Sequence, residues 1–377
     1  MKKIQMVDLV SQYEKIKPQV QTAIHSILEK AQFINGPDVH EFKGELGSYL
    51  GAKHVIPCAN GTDALQIAMM ALGLKPGDEV ITPSYTFIAT TEVIGLLRLK
   101  PVFVDCEKDT FNISPKAIEA AITARTKAIV PVHLYGQSCD MEAIMKIAEK
   151  YDLKVIEDNA QAIGSDYTFS DGTVKKTGTI GDVGCTSFFP SKNLGCYGDG
   201  GAICTNDDDL AKQIEMVVNH GQSKRYYHDV IGCNSRLDTI QAAVLRIKLK
   251  ELDRYIDARR KAAAFYDEQF KDVEGLTIPF RAANTKHVFH QYTLQLSDEI
   301  DRDALVAYLG EKDIPAMIYY PVPAHKQKMF ASLETSSGIL ENTDWLTKRV
   351  FSLPMHTELE QDQLEYICKS VKEFIEK

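Results

Sequence analysis

The chain has no long apolar run and no excess of positive charge, and each absence argues against a class of protein. No segment of its 377 residues approaches the roughly 18 to 20 apolar residues of a membrane-spanning helix, the N-terminus included. The formal net charge of -9 disfavours nucleic acid or a membrane surface as the main partner. We therefore expect a soluble cytoplasmic protein with neither kind of partner.

Paired cysteines and common nucleotide or metal motifs are missing as well. The eight cysteines form no C-x-x-C pair, and several lie in apolar runs, so we expect buried free thiols. There is no G-x-x-x-x-G-K loop, no H-E-x-x-H helix and no internal repeat. These absences argue against a P-loop nucleotidase, a zinc protease and a repeat array, and we expect no metal site.

What is present is an alternation of short apolar strands with amphipathic helices, beginning near Lys53. This order is typical of βαβ crossovers, and it predicts a doubly wound α/β domain with a largely parallel sheet. A long charged helix follows from Asp238 and suggests a connection between two domains. We predict a large α/β domain over residues 1–249 and a smaller α+β domain over 250–377. The N-terminal helix could pack on either domain.

One lysine and one aspartate carry the chemical hypothesis. Lys192 lies in the glycine-rich stretch FFPSKNLGCYGDGG, and Asp158 ends the apolar strand upstream. A pyridoxal phosphate (PLP) enzyme needs an amine that forms a Schiff base and a carboxylate that keeps the pyridine nitrogen protonated. A lone lysine is usually a surface charge, and a lone aspartate is often a turn or cap residue. The order and spacing of the two favour the PLP hypothesis.

A phosphate site is predicted beside them. In CANGTDAL, Gly61 and Thr62 stand between a strand and a helix, where free backbone N–H groups and the helix dipole attract an anion. Ser187, five residues before Lys192, could add a hydroxyl. An ordinary N-capped turn is the alternative for this segment.

Two further side chains could contact the flat ring of a cofactor. Phe87 follows a strand and could stack on the ring, although most phenylalanines are simply core residues. Gln161 lies three residues after Asp158 and could reach the oxygen-bearing side of the ring.

Substrate contacts are expected from later segments. Asn234 and Arg236 precede a helix, where they form either a capping turn or a clamp for phosphate or an anionic substrate. Tyr319 and His325 lie in the proline-rich segment YYPVPAHKQ, where a structural role and a substrate contact both remain open.

These motifs together resemble the DegT/DnrJ/EryC1/StrS sugar aminotransferases, PLP enzymes of fold type I. The resemblance runs through most of the chain, in FINGPDVHEF, NGTDAL, GDEVITPSYTF, VHLYGQ, IEDNAQAIG, FFPSKNLGCYGDGGAI, GCNSRLDTIQAA, YYPVPAHKQ and SLPMHTEL. It implies an aspartate aminotransferase-like large domain with a mainly parallel seven-stranded sheet, and a smaller C-terminal α+β domain.

The resemblance also implies roles for individual residues. Lys192 would be the Schiff-base lysine and Asp158 the partner of the pyridine nitrogen. The other implied cofactor contacts are Gln161, Phe87, Gly61, Thr62, Ser187 and, from the neighbouring subunit of a homodimer, Asn234. Arg236, Tyr319 and His325 would line the pocket for a sugar nucleotide.

The activity implied by the resemblance is a ping-pong transamination from glutamate to a keto sugar nucleotide. The motifs look most like enzymes acting on UDP-2-acetamido-2-deoxy-3-oxo-glucuronate in surface polysaccharide biosynthesis. A 4-keto-6-deoxy sugar aminotransferase is the alternative, and a regulatory or sensory member without turnover is a third. A related dehydratase replaces the lysine with histidine, so Lys192 argues against it.

Overall fold

The computed structural model describes residues 1–333 and 335–376 of the chain. The α-helices of this part are α1 (Leu9–Lys30), α2 (Pro37–Leu50), α3 (Gly61–Ala71), α4 (Ala89–Leu96), α5 (Pro115–Ala121), α6 (Met141–Tyr151), α7 (Asp208–Val217), α8 (Thr239–Leu249), α9 (Leu252–Phe270), α10 (Arg302–Glu311), α11 (Glu341–Arg349) and α12 (Gln361–Ile375). The strands are β1 (His54–Cys58), β2 (Glu79–Pro83), β3 (Lys100–Val104), β4 (Thr126–Ile129), β5 (Lys154–Asp158), β6 (Asp166–Thr168), β7 (Val174–Lys176), β8 (Val183–Ser187), β9 (Gly201–Thr205), β10 (Gln222–Lys224), β11 (Tyr227–His228), β12 (Leu276–Thr277), β13 (Tyr292–Leu296), β14 (Ser336–Ser337) and β15 (Val350–Leu353).

The main sheet has the order β1-β9-β8-β5-β4-β2-β3-β14. Its neighbours pair in parallel except around β9, which is antiparallel to both β1 and β8. Seven of these strands come from residues 54–205, which confirms the predicted mainly parallel seven-stranded sheet. The C-terminal part of the chain adds the short strand β14 beside β3.

Helices cover both faces of this sheet because consecutive strand residues point to opposite sides. Val80 and Ile156 pack in one apolar cluster with α3, α4 and α7. Their neighbours Ile81 and Val155 pack in another with α5 and α6. A third cluster joins α2 and α8 to β1 and β9. The doubly wound arrangement expected from the sequence is therefore present.

A second apolar core lies in the C-terminal part of the chain. There the antiparallel sheet β12-β13-β15 packs with α10, α12 and the end of α9. Helix α9 contributes Leu252 and Ile256 to a core of the main sheet, and Tyr266 and Phe270 to this second core. The helix spans the two cores, and the division at residue 249 stays a prediction.

The long helix expected after Asp238 is two helices in the structure. Helix α8 ends at Leu249 and α9 begins at Leu252, and Glu251 donates its backbone N–H to the Lys248 carbonyl at 3.0 Å. This i to i−3 bond tightens the chain at the junction without a glycine or proline to mark it in the sequence.

The N-terminus contacts both cores. Ile16 and Val20 of α1 pack on Val244 of α8, whereas Ile4 joins the C-terminal core. All eight cysteines are free thiols within the described chain; seven are buried, as expected, and Cys233 is partly buried. Within residues 1–333 and 335–376, no helix is both long and apolar enough to cross a bilayer.

Candidate active site

A cavity of about 850 Å³ opens where β2, β5 and β8 end and α3 begins. Ligands of doubly wound sheets gather at this edge, because the loops there diverge and helix N-termini point inward. Eight of the residues singled out in the sequence line the cavity: Gly61, Thr62, Phe87, Asp158, Gln161, Ser187, Lys192 and Tyr319.

Lys192 is held in the loop between β8 and β9. Its backbone N–H donates to the Phe189 carbonyl at 2.8 Å. The turn is tight, since a Cβ on Gly195 would lie 2.4 Å from the Pro190 carbonyl oxygen. Burial disfavours the ammonium form and lowers the pKa of Lys192 to about 8, although the Asp158 carboxylate acts the other way. At pH 7 about a tenth of this amine is therefore neutral and nucleophilic, far more than for an ordinary lysine.

Asp158 ends β5 with its side chain almost wholly buried, at 5% exposure. One carboxylate oxygen accepts a hydrogen bond from the Thr90 hydroxyl at 2.7 Å, and the other accepts from the Ala160 N–H at 3.1 Å. Burial raises the pKa of Asp158, and these two donors together with Lys192 oppose the rise. A carboxylate in such a place is stabilised by a protonated ring nitrogen beside it.

The start of α3 forms one end of the cavity and offers the groups that an anion-binding site needs. Asn60 caps the helix by accepting the Asp63 N–H at 2.8 Å, which leaves the N–H groups of the first turn directed outward. Ser187 approaches closely from β8, because a Cβ on Gly61 would lie 2.6 Å from the Ser187 Cβ. Only glycine leaves space here for the backbone and the hydroxyl to face one ligand.

Gln161 and two aromatic rings form another wall. The Gln161 side-chain oxygen accepts the Tyr135 N–H at 2.7 Å, and its amide nitrogen donates to the Tyr320 hydroxyl at 2.9 Å. The Phe87 ring is 54% exposed and its centroid lies 6.0 Å from that of Tyr320. Phe87 therefore presents an open face, as a ring that stacks on a ligand must.

Three residues singled out in the sequence do not line the cavity. Asn234 is exposed and forms a bridge with Asn219, and Arg236 is partly buried nearby. His325 hydrogen-bonds through Nδ1 to the buried Ser84 hydroxyl at 2.7 Å, and so ties its loop to the end of β2.

Comparison with known proteins identifies this arrangement. The model of the DegT/DnrJ/EryC1/StrS aminotransferase family matches residues 14–372. The chain belongs to this family.

Two relatives of this DegT/DnrJ/EryC1/StrS family member are equally similar. The pleiotropic regulatory protein of Geobacillus stearothermophilus is 46% identical over 373 residues, covering 98% of both chains. The UDP-2-acetamido-2-deoxy-3-oxo-D-glucuronate aminotransferase of Pseudomonas aeruginosa is 46% identical over 368 residues, covering 98% of this chain and 99% of the relative.

Solved structures agree with the fold. A DegT/DnrJ/EryC1/StrS aminotransferase from Brucella abortus superposes with a TM-score of 0.94 at 41% identity, covering 99% of this chain and 100% of that one. NtdA from Bacillus subtilis, with bound cofactor PMP, has a TM-score of 0.87 at 31% identity, covering 96% of this chain and 82% of that one. The fold type I prediction is confirmed.

This family member is a PLP-dependent sugar aminotransferase. Its cavity fits that cofactor in three respects: a buried carboxylate for a protonated ring nitrogen, an amine with a lowered pKa, and a helix N-terminus with a glycine that admits a phosphate.

Thr90 was not predicted from the sequence. Its hydroxyl donates to Asp158, but a threonine in the first turn of an amphipathic helix carries no local sign of a partner 68 positions away. His290 and Gln291 also line the cavity, and they come from the segment before β13. Only the tertiary fold brings these residues to the site.

Proposed function

We propose that this enzyme transfers the amino group of glutamate to the 3-keto carbon of UDP-2-acetamido-2-deoxy-3-oxo-glucuronate, in the biosynthesis of a surface polysaccharide. The 46% identity to the Pseudomonas aeruginosa aminotransferase across nearly the whole chain carries the choice of substrate. The cavity around Lys192 and Asp158 supports the reaction class.

When bound, PLP supplies the carbonyl that takes up the amino group and a ring that accepts electron density. Lys192 Nζ takes the proton from the α-carbon of glutamate, and in the second half of the reaction it delivers a proton to the sugar carbon. Asp158 keeps the ring nitrogen protonated. No further oxidant or reductant is needed, because glutamate is oxidised to 2-oxoglutarate while the keto sugar is reduced to an amino sugar.

The remaining cofactor contacts follow the same proposal. The N–H groups of Gly61 and Thr62 and the Ser187 hydroxyl would hold the phosphate, Phe87 would stack on the ring, and Gln161 would contact its oxygen side. Asn234 completes the phosphate site of the neighbouring subunit in a homodimer. Asn234 is exposed and does not line the cavity of its own chain, which is compatible with that role.

On the substrate side, Arg236, Tyr319 and His325 contact the sugar nucleotide. Tyr319 lines the cavity of its own chain, whereas His325 lies outside the lining residues and is hydrogen-bonded to Ser84. Arg236 offers its charge to an anionic group of the sugar nucleotide.

The test is the visible absorption spectrum of the PLP-loaded protein, before and after glutamate and then after 3-keto or 4-keto UDP-sugars. We expect glutamate to remove the band of the lysine-bound cofactor and a 3-keto sugar acid to restore it. Recovery with a 4-keto-6-deoxy sugar alone would instead favour the alternative substrate class.

The Lys192→Ala variant is the matched control. We expect it to fold, because a cavity amine contributes little packing, and to show neither the lysine-bound band nor turnover. Turnover in this variant would overturn the assignment of Lys192.

The relative named as a pleiotropic regulatory protein supports a second candidate, a regulator without turnover. The aminotransferase and the regulator differ in whether glutamate reacts with the bound cofactor. A protein that binds PLP through Lys192, and whose spectrum glutamate never changes, would favour the regulator.

A further inference from the structure

The segment Tyr319–Tyr320 forms one wall of the cavity, but its backbone is held from outside the cavity. The Tyr319 carbonyl accepts hydrogen bonds from the hydroxyls of two buried residues, Tyr85 at 2.6 Å and Tyr135. These residues are 1% and 2% exposed. Neither is among the described residues that line the cavity.

The protons at this junction can be counted. The two hydroxyl oxygens lie 3.0 Å apart, and each hydroxyl has one proton. With both protons directed at the Tyr319 carbonyl, both lone pairs of that oxygen are used. Removing one hydroxyl leaves the Tyr319 carbonyl with one of these donors, and removing both leaves it with neither.

The backbone of Tyr135 makes three further hydrogen bonds, one to Gln161 and two to the consecutive residues His290 and Gln291, all of which line the cavity. Its N–H donates to the Gln161 side-chain oxygen at 2.7 Å. Its carbonyl accepts the N–H groups of His290 at 2.8 Å and Gln291 at 3.3 Å. The backbone of Tyr135 is left-handed, with φ 57° and ψ 3°, a conformation that residues other than glycine rarely adopt.

The bond to Gln161 also fixes the direction of its amide. Because the oxygen faces the Tyr135 N–H, the amide nitrogen faces the Tyr320 hydroxyl, which accepts at 2.9 Å. Two hydrogen-bonded connections therefore link Tyr135 to Tyr320. One runs through the Tyr319 carbonyl and the other through the Gln161 amide.

We propose that Tyr135, assisted by Tyr85, is a positioning residue that sets the acceptor side of the site. It holds the Tyr319–Tyr320 wall at the distance that admits the keto sugar, without touching substrate or cofactor. The proposal rests on the proposed aminotransferase function. Glutamate is several times smaller than a sugar nucleotide and reacts beside Lys192, so it depends little on this wall.

The experiment compares Tyr85→Phe, Tyr135→Phe and the double variant with wild type in separate half-reactions. Each substitution removes one hydroxyl and keeps the ring. We expect a glutamate half-reaction within about two-fold of wild type and a KM for the keto sugar raised about five-fold in each single variant, on the scale of one hydrogen bond. The KM for the keto sugar should be higher in the double variant than in either single variant.

Tyr167→Phe is the matched control. Tyr167 is also 1% exposed, and its hydroxyl donates to Asp140 at 2.8 Å, away from the cavity lining. Its removal should leave both half-reactions unchanged. A double variant with a wild-type KM for the sugar, or with equal losses in both half-reactions, would overturn the positioning role.

A second readout does not depend on the activity. Amide hydrogen exchange of the peptide containing Tyr319 and Tyr320 should become faster in the double variant and stay unchanged in Tyr167→Phe. If wild type never reacts with glutamate, the proposed function fails. The exchange result still decides whether the two hydroxyls hold this wall, since unchanged exchange in the double variant contradicts it.

Discussion

At the scale of single residues, the site depends on the buried Asp158 and the partly buried Lys192, and desolvation moves the pKa of each toward neutral pH. Burial lowers the pKa of Lys192 to about 8 and raises that of Asp158. Each neutral form is favoured by desolvation, and each charged form is favoured by the other residue. The pair is therefore suited to chemistry in which a proton is taken up and returned.

The lowered pKa predicts a pH dependence for cofactor capture. Only the neutral amine attacks the cofactor, so capture by the apoprotein should speed up as the pH rises from 7 toward 9, with a midpoint near 8. Stopped-flow absorbance at several pH values measures it. A midpoint near the ordinary lysine value of about 10.4 would show that burial does not act on Lys192 in solution.

Asp158→Asn should slow proton transfer by about ten-fold or more, because an amide cannot hold the ring nitrogen protonated. Single-turnover absorbance with glutamate measures the rate. Thr90→Val is a graded comparison, since it removes one of the hydrogen bonds to Asp158 and keeps the carboxylate. A wild-type rate in Asp158→Asn would remove Asp158 from its proposed role.

At the scale of elements, the beginning of α3 is fitted to the end of β8. The two approach so closely that the first residue of the helix has no room for a side chain. In the proposed phosphate site, the same closeness would let backbone N–H groups and a hydroxyl face one anion.

Gly61→Ala should therefore weaken PLP binding about ten-fold or more, since its Cβ would lie 2.6 Å from the Ser187 Cβ and force the two elements apart. Titration of the apoprotein with PLP, followed by absorbance, gives the affinity. Gly44→Ala is the control, because a Cβ there, on the exposed side of α2, meets nothing within 4 Å. That variant should bind PLP normally and gain about 1 kcal/mol of helix stability. Equal affinities in the two variants would contradict the fit.

A second element-scale feature connects the C-terminal part to the main sheet. Helix α11 has no side-chain cap of its own, and Asp105, just beyond β3, accepts the N–H groups of Asn342 and Thr343 at 2.9 and 2.8 Å. With β14 paired to β3, the edge of the main sheet carries two separate links to the last third of the chain.

At the scale of the whole molecule, the proposed sharing of sites between subunits predicts complementation. Lys192→Ala and Asn234→Ala chains mixed in equal amounts after subunit exchange should give heterodimers with one intact site each. If mixing is random, about a quarter of wild-type sites are restored. Activity measured before and after mixing tests this. Activity that never exceeds the average of the two separate variants would rule out a shared site.

The sheet and part of the candidate site could be predicted because short stretches of the sequence indicate them. The strand–helix alternation predicted the sheet, and Lys192, Asp158 and Gly61 stand in segments whose composition indicates their position. The break between α8 and α9 has no glycine or proline to announce it, and the long pattern there predicted one helix. Thr90, Tyr85 and Tyr135 have hydrogen-bond partners 68 to 234 positions away in the sequence, and no local pattern reveals such partners.

The reactivity of the eight thiols can be used to follow the unfolding of the molecule. Seven are buried in the packed cores and Cys233 alone is partly buried. A maleimide should therefore add one label to the native enzyme and all eight only when the chain unfolds. Counting labels by mass spectrometry would then show whether the two cores open together or one after the other, since Cys368 belongs to the C-terminal core and the other buried thiols do not.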